Sequence, residues 1–378
     1  MLRRLSLGLV GLSLVAAVAA CNSDTSTPGG GLGIGPNFPS LTLYAANTTQ
    51  NAVGIFPPKT ASGSGPAYQI AGSNTTLSGP QYLSFDSSDN LWVSNYNVSA
   101  GTSSVVEIKA LATGNVIPFG GFTYANMGQV RGIAVDNNLS EIALAAVDPT
   151  ATNPASPSQI QLFDAASTGG STPFSVITGN LTGLNVPSGV AFDKVDSIYV
   201  TNLQGASVEK FTVPTPSPTP TGTATPTPTA SPTPTPTPVP TATPVGPTPT
   251  PAPTATPAYF TNLAPSATIA GASTLLINPT GIALDTAGNI YVSDSGRKAV
   301  LVFGPTANGN VAPLQNISGS NTGFVSPTDV KVDTAGLIYV ADGGAGKIFI
   351  FAAGATGNVA PTTTYTAPGT LVGIGLAP

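Results

Sequence analysis

The sequence has no histidine, and only 7% of its 378 residues are charged. Without histidine there is no imidazole metal ligand, no histidine base and no Ser-His-Asp triad. The formal net charge is −5. A weakly acidic chain does not attract a phosphate backbone, so we expect no nucleic-acid partner.

Cysteine is also scarce, because Cys21 is the only one. A disulfide within the chain is therefore excluded, and the fold must rest on packing. The preceding residues, "MLRRLSLGLVGLSLVAAVAA", begin with a basic pair, continue as an apolar run and end in small residues. This layout is typical of a secretory signal peptide, and the run is short for a membrane span.

The residues Val18-Ala19-Ala20-Cys21 resemble a bacterial lipobox, in which the signal is cut before the cysteine and the cysteine carries lipid. The alternative is an ordinary signal peptide with an incidental cysteine. We expect residues 1–20 to be a signal peptide and residues 21–40 a lipidated, flexible tether. The expected location is the bacterial cell envelope, outside the cytoplasm. Asn22 in place of Asp favours the outer membrane or the cell surface.

The rest of the chain repeats itself. The stretch "NPTGIALDTAGNIYVSDSGRKAVLVFGP" at 278–305 recurs as "SPTDVKVDTAGLIYVADGGAGKIFIFAA" at 326–353. A more distant copy, "LYAANTTQNAVGIFPP", lies at 43–58. Each unit reads as a short apolar strand, a turn, two further strands and a weaker fourth strand. Four strands in a unit of this length are typical of a β-propeller blade.

Counting the first strand of each unit predicts six blades. These strands are Tyr82–Asp86, Gly132–Asp136, Gly189–Asp193, Gly281–Asp285, Asp329–Asp333 and Gly373–Ala377. The last of them has no second strand after it, whereas the chain opens with a second strand at Leu41–Ala46. The two should pair and remove two exposed sheet edges. The predicted fold class is therefore all-β, a six-bladed β-propeller of four-stranded antiparallel blades over residues 41–378.

One segment interrupts the repeat, since Pro214–Pro257 is almost entirely proline and threonine. Such a run forms polyproline II and packs no core, so we expect it to be disordered. Aligning Phe211 with Phe303 and Ile269 with Ile317 places it between the third and fourth strands of one blade. It is then an insertion in one domain and not a linker between two. It is either a tolerated loop or a spacer that contacts the cell wall, with or without glycosylation.

The stretch "PTGIALDTAGNIYVSDSGRKAVLVF" resembles an NHL repeat, whose usual form is Pro-x-Gly-Ile-Ala-Val-Asp, Gly-Asn-Ile-Tyr-Val-x-Asp and a basic pair before an apolar strand. The resemblance implies a six-bladed propeller, similar in shape to TolB-like and regucalcin-like propellers. It implies no activity, because propellers include sensors, lyases, lactonases and adhesins.

The best-known enzymes that resemble this fold in shape are lactonases of the gluconolactonase and regucalcin type. They hold a divalent metal with Glu, Asn and Asp. Here Glu107, Glu141 and Glu209 do not open an inner strand, and Gln81 and Tyr82 stand at the first such position. We therefore expect no metal ligands and no cofactor, although calcium is an alternative. The sequence has no histidine and no clear nucleophile–base pair or metal cluster, which favours a protein that is not an enzyme.

Two sets of polar residues recur with the repeat. The first set ends five inner strands and predicts a turn role in which carboxylates accept main-chain N–H bonds: Asp86, Asp136, Asp193, Asp285 and Asp333. The second set closes second strands and suits turn capping. Lying near one mouth of the ring, its members Asn95, Asn202, Asp294 and Asp342 are also candidates for ligand binding.

Two further candidates break the repeat. Asp329 stands where other units have Gly or Tyr, and Arg131 stands where they have Gln, Ser, Thr or Val. No shared turn requires them, so they are the best ligand candidates, with a solvated or mutually paired role as the alternative. The predicted function is an envelope-anchored binding or sensor module for a protein, a peptide or a cell-wall glycan, and the expected state is a monomer. A metal-dependent lactonase and a structural envelope protein are the alternatives.

Overall fold

The computed structural model describes residues 41–58, 60–147, 158–212 and 258–377. Cys21, residues 1–40 and the Pro/Thr-rich segment 214–257 lie outside this range, so the expectations about them stay predictions. In the described ranges the chain forms 26 strands and four single 3₁₀ turns, Ser73–Thr75, Asn180–Thr182, Ala272–Thr274 and Ser320–Thr322. None of these turns is long enough or apolar enough to cross a membrane.

The strands follow one another in blade order. The first two blades contain β1 Leu43–Asn47, β2 Ala52–Phe56, β3 Tyr68–Ala71, β4 Pro80–Phe85, β5 Leu91–Asn97, β6 Thr102–Ile108 and β7 Gly120–Phe122. The next two supply β8 Gln129–Asp136, β9 Glu141–Val147, β10 Gln159–Asp164, β11 Thr168–Gly169, β12 Ser175–Thr178, β13 Pro187–Phe192, β14 Ile198–Asn202, β15 Ser207–Phe211, β16 Ala258–Thr261 and β17 Ala267–Ala270. The remainder are β18 Pro279–Leu284, β19 Ile290–Asp294, β20 Ala299–Phe303, β21 Gln315–Ser318, β22 Pro327–Val332, β23 Ile338–Asp342, β24 Lys347–Phe351, β25 Thr363–Thr366 and β26 Leu371–Leu376.

Six sheets form the ring, and each is one blade of a β-propeller. The inner strands of blades 1 to 6 are β26, β4, β8, β13, β18 and β22, and each lies beside the inner strand of the next blade. Blade 1 has the order β26-β1-β2-β3, so the C-terminal strand joins the N-terminal ones. Leu43 lies opposite Leu376 in that antiparallel pairing. The predicted six blades and the predicted closure are both confirmed.

The core lies between the blades, because each buried apolar cluster joins residues of neighbouring blades. The third strand of each blade shows how the sequence repeat contributes to this core. The aromatic residue near the end of this strand is almost fully buried in five blades, at Phe56, Phe163, Phe211, Phe303 and Phe351. Burial of one such side chain contributes about 1.5–3 kcal/mol, so the repeated phenylalanine is a main source of stability.

The aspartates that end the inner strands form turns, as predicted. Asp285 Oδ1 accepts N–H bonds from Ala287 and Asn289, both at 2.9 Å. Asp333 accepts the corresponding bonds from Ala335 and Leu337. The turn role explains why the residue recurs, since its carboxylate replaces main-chain partners that the tight turn cannot supply.

The outer edges of the blades are covered by their neighbours. In blade 1 the outer strand bridges to Gly114 of blade 2, where Ala71 N donates to Gly114 O at 3.1 Å. Gly309 and Gly357 cover blades 4 and 5 in the same way. The asparagine that follows, Asn115 in blade 2, accepts the N–H of Asn74 at 2.8 Å and caps the 3₁₀ turn of the preceding blade.

Two blades extend this cover into a fifth strand, which the four-stranded prediction did not include. β11 pairs in parallel with β7 of blade 2, and β16 pairs in parallel with β12 of blade 3. Both added strands come from the third-to-fourth connection of the next blade. In blade 4, β15 pairs with β17 as the third and fourth strands, and residues 213–257 lie in the connection between them, between β15 and the added strand β16.

Candidate functional site

The central channel narrows at one level of the inner strands. At this level, called the glycine level, the six strands carry Tyr82, Gly132, Gly189, Gly281, Asp329 and Gly373. A Cβ placed on Gly189 would lie 2.7 Å from the Thr280 carbonyl oxygen and 2.9 Å from the Gly281 Cα. A Cβ on Gly373 would lie 2.8 Å from the Tyr82 Cα. The strands therefore approach too closely for side chains that point at the next blade.

Tyr82 is one of the two exceptions, and its ring crosses the channel. Its hydroxyl donates to the Thr328 carbonyl oxygen of blade 6 at 3.0 Å and lies 3.2 Å from Ser188 Oγ of blade 4. Neither blade is adjacent to blade 2, which carries Tyr82. Burial raises the pKa of the phenol, and the Asp329 carboxylate raises it further. A neutral Tyr82 thus closes the channel at the glycine level.

Asp329 is the second exception and is completely buried. Its two carboxylate oxygens each lie 3.0 Å from Lys331 Nζ, and they accept N–H bonds from Val330 and Ile374. Burial raises the pKa of this carboxyl, whereas the ammonium and the two N–H groups favour its ionised form. With an ammonium in contact with both oxygens, we treat the two groups as an ion pair. Residues i and i+2 of a strand share a face, which explains why they meet.

Arg131 does not join this ion pair. It lies one residue before the glycine level, at the position of Gln81, Ser188, Thr280, Thr328 and Val372 in the other strands. Its Nε is buried and has no hydrogen-bond partner among the described residues. Its charge lowers the pKa of the Tyr82 phenol slightly, so the two groups are close. The structure therefore separates the two candidates, because Asp329 pairs with Lys331 instead.

The other four candidates have structural partners. The Asp294 carboxylate accepts N–H bonds from Ile277, Asn278 and Arg297. Asp342 binds the corresponding N–H groups of Val325, Ser326 and Ala345. Asn202 accepts the N–H of Asn185, and Asn95 accepts that of Ser78. All four hold the loop that leads into the inner strand of their own blade. Their ligand role stays a prediction.

A cavity of about 280 Å³ lies in the channel toward the ends of the inner strands, and we call it the cup. All six inner strands line it. Its wall is mainly apolar, with Phe85, Val135, Phe192, Leu284, Val332 and Leu376 at the level nearest the mouth. Among the described residues that line it, only Ser84 and Lys331 carry polar side chains. Ser84 Oγ already accepts the N–H of Val135 at 3.0 Å. One N–H of Lys331 and the O–H of Ser84 are the polar groups of the described wall left for a ligand.

The cup opens into a wider space of about 460 Å³ between the turns of blades 3, 4 and 5, which we call the opening. Val135, Phe192 and Leu284 line both spaces, so the two are continuous. The opening is lined by the turn aspartates Asp136, Asp193 and Asp285 and by Lys194. Lys194 Nζ donates to the Thr286 carbonyl oxygen at 2.6 Å.

Metal ligation has no support in the part of the chain that the structure describes. No group of three His, Cys, Asp or Glu residues there could hold a metal ion. Glu107, Glu141 and Glu209 lie on strands β6, β9 and β15, and none of them stands on an inner strand. A regucalcin-like metal centre at the start of the inner strands is therefore not formed by these described residues.

Sequence reasoning missed Lys331, which lines the cup, and Tyr82, which closes the channel next to it. Lys331 stands where the other inner strands carry Ser84, Ala134, Ala191, Ala283 and Gly375. Tyr82 stands where four strands carry glycine. Both departures can be read from the aligned repeat, and the reasoning that selected Asp329 applies equally to them.

Comparison with known proteins supports the repeat and the fold. Residues 276–303, the first three strands of blade 5 with the residues leading into them, match the NHL repeat family. No curated protein is detectably similar in sequence over the chain. The fold is that of a six-bladed β-propeller with a recognisable NHL repeat.

Solved structures resemble this chain in fold at low sequence identity. A protein of unknown function from Bacteroides caccae aligns with a TM-score of 0.56 and 8% identity, covering 89% of this chain and 98% of that one. A chain in a nidogen/laminin complex aligns with a TM-score of 0.55 and 13% identity, with the same coverage. A PQQ-bound aldose sugar dehydrogenase from Streptomyces coelicolor reaches only 0.46 at 15% identity, covering 82% and 87%, and carries no argument. These similarities concern the fold alone.

Proposed function

We propose that this protein is a non-catalytic binding module that holds a small, largely apolar ligand in the cup. The observation that carries the proposal is the closure of the channel by Tyr82, whose hydroxyl reaches blades 4 and 6. Tyr82 directly precedes Leu83 of the cup wall, so the channel is closed next to the cup, and the wall of the cup is mainly apolar. Ligand sites are usually concave, mostly apolar and equipped with a few placed polar groups, and the cup has this composition.

The side chains in the cup favour binding over catalysis. Lys331 is engaged by Asp329 through both carboxylate oxygens. Ser84 has no general base among the described residues of the wall, since the remaining side chains there are apolar. A nucleophile needs a base within hydrogen-bond reach, and the wall supplies none. The cup can therefore enclose and orient a molecule.

We further propose that the propeller is tethered to the bacterial envelope through lipid on Cys21. Support comes from the sequence alone, in the lipobox-like Val18–Cys21 that follows a basic, apolar leader. The ligand would then be captured outside the cytoplasm. Cys21→Ala should move the protein from the membrane fraction to the soluble fraction after cell lysis. A variant that stays in the membrane fraction would show that another part of the chain holds it there.

The cup is tested with one-ring fragments that match its volume: benzyl alcohol, benzylamine and benzoate. We expect at least one to bind the wild-type protein in ligand-observed NMR titrations. Val332→Trp should abolish this binding, because the indole fills the cup. The matched control is Val98→Trp, since Val98 is 74% exposed and does not line the cup. If no fragment binds, or if both variants bind like the wild type, the cup is not a binding site.

A further inference from the structure

Four carboxyl groups lie close together in blade 3 and at the turn of blade 4, and we call them the acidic row: Asp136, Glu141, Asp164 and Asp196. Of these, Asp136 lines the opening. Asp136 of β8 lies directly opposite Glu141 of β9, which lies directly opposite Asp164 of β10. Residues that face each other across strands share one face of a sheet, and like charges there are destabilising. Asp196 approaches from the turn of blade 4, where its Oδ1 accepts a bond from Asn138 Nδ2 at 3.0 Å.

The repeat does not require the acidic row. At the position of Glu141 the other blades carry Thr42, Asn90, Ser197, Asn289 and Leu337. At the position of Asp164 they carry Pro57, Lys109, Thr212, Gly304 and Ala352. Blade 3 alone has acidic residues at both. The two ion pairs in the described part of the chain, Lys210–Asp193 and Lys331–Asp329, include none of the four.

Asp136 is the residue of the acidic row whose carboxylate lacks one hydrogen-bond donor. It is only 3% exposed, and it lines the opening. Its Oδ1 accepts N–H bonds from Asn138 and Leu139, whereas its Oδ2 is buried without a hydrogen-bond donor among the described residues. A buried carboxylate oxygen without a donor costs about 1–3 kcal/mol or more, so a proton or a cation stabilises it.

We infer that the ligand of the cup is a small amine, whose ammonium group binds the acidic row while its apolar part enters the cup. The inference rests on the proposed function and specifies its ligand. Val135 of the cup wall directly precedes Asp136, so an amine with one ring or a short chain reaches both places. An ammonium carries three donors that can serve carboxylates lying in different directions. A metal ion needs convergent ligands, which the described residues do not provide.

The three fragments distinguish this ligand class because they share one ring and differ in charge. We expect benzylamine to bind about tenfold more tightly than benzyl alcohol, the gain of one charged hydrogen bond. Benzoate should bind most weakly, because the acidic row repels it. Asp196→Asn should lower the affinity for benzylamine to that for benzyl alcohol and leave the affinity for benzyl alcohol unchanged.

The matched control is Asp89→Asn. Asp89 occupies the same place in the turn of blade 2, three residues after Asp86, as Asp196 does after Asp193. This variant removes one charge from another turn and should keep the tenfold preference for benzylamine. Equal losses in the two variants would show a general charge effect and would refute the acidic row as the amine site.

The remaining outcomes separate this inference from the proposed function. If benzyl alcohol binds the wild-type protein as tightly as benzylamine does, the amine inference is wrong while the cup remains a binding site. If no fragment binds, the proposed function fails and the inference fails with it. If calcium displaces benzylamine at concentrations below the Kd of benzylamine, the acidic row is a metal site and the amine inference is wrong.

Discussion

Tyr82 determines whether the centre of the ring is a pore or a pocket. Its hydroxyl is held by groups from two non-adjacent blades, the Thr328 carbonyl oxygen and Ser188 Oγ. The ring is 6% exposed, although it stands in the middle of the channel. One side chain thus links blades 2, 4 and 6, none of which is next to another in the ring.

Removing only this hydroxyl tests the link. We expect Tyr82→Phe to lower the free energy of unfolding by about 1–3 kcal/mol, since a buried acceptor loses its donor. The measurement is urea denaturation followed by fluorescence. Tyr124→Phe is the control, because the Tyr124 hydroxyl forms no hydrogen bond among the described residues. A Tyr82→Phe variant as stable as the control variant would contradict the role of the hydroxyl.

The close approach of the inner strands at the glycine level leads to a second prediction, for single substitutions. We expect Gly189→Ala to cost about 1–3 kcal/mol, because the new Cβ meets the main chain of the next blade and the backbone must shift. The same change at Gly170, where nothing lies within 4 Å, should cost half a kcal/mol or less. Thermal denaturation of both variants measures the difference. Equal stabilities would mean that the inner strands are not as closely packed as described.

Candidate residues could be predicted from the sequence only where the repeat was broken. Asp329 was selected because it interrupts a series of glycines, and the structure places it at the glycine level, where it is completely buried. Its partner could not be predicted, because pairing with Lys331 instead of Arg131 depends on which face of the strand each side chain takes. The reach of Tyr82 across the channel depends on the diameter of the ring, which a sequence does not give.

At the scale of a single blade, the acidic row makes stability depend on pH. Burial and the charges of Asp136, Asp196 and Asp164 raise the pKa of Glu141 to about 7 from an ordinary value of 4.5. Between these two values the folded protein holds a proton that the unfolded chain has lost. Stability is therefore greatest below the ordinary value and falls as the pH rises toward 7.

Glu141→Gln should remove this part of the pH dependence. After allowing for screening by solvent, we expect the wild type to lose about 1 kcal/mol more than the variant between pH 5 and pH 8. Glu141→Gln should therefore be the more stable protein at pH 8 and close to the wild type at pH 5. Urea denaturation at both pH values measures this. Parallel pH profiles would show that Glu141 does not titrate in this range.

The strands themselves could be predicted more fully than the contacts between blades. Inner, second and third strands carry a regular apolar pattern, and five of the six inner strands end in the same aspartate turn. By contrast, β11 contains only Thr168 and Gly169, and it pairs through the main chain alone. A strand that packs no side chain into a core leaves no periodicity in the sequence. The added strands therefore appear only when neighbouring blades are placed side by side.

At the scale of the whole molecule, the placement of the Pro/Thr-rich segment can be tested. The segment lies within the connection from β15 to β17 of blade 4, between β15 and β16, and β16 pairs with β12 of the neighbouring blade 3. The closure entropy of a long loop rises by only about 0.6 kcal/mol for each doubling of length. Replacing residues 214–257 with a short Gly-Asn turn should leave the propeller folded and equally stable, as measured by its melting temperature.

Proteolysis provides the second measurement for the same segment. A single cut within 214–257 should give two fragments that elute together in size-exclusion chromatography, because β16 and β17 hold the second fragment to blades 3 and 4. The uncut protein is the control for elution volume. Two folded fragments that elute separately would mean that the segment links two independent domains.

The pairing of β26 with β1 has a consequence for how the protein is made. Synthesis runs from the N-terminus, so β1 emerges long before residues 371–376 exist. At 5–20 residues per second the interval is on the order of tens of seconds. During this time the nascent first blade presents a bare edge to every other unfolded chain nearby, and such edges aggregate. The newly made polypeptide must therefore be kept unfolded or chaperoned until translation has passed residue 376, and a ribosome that stalls before residue 371 releases a chain whose ring stays open.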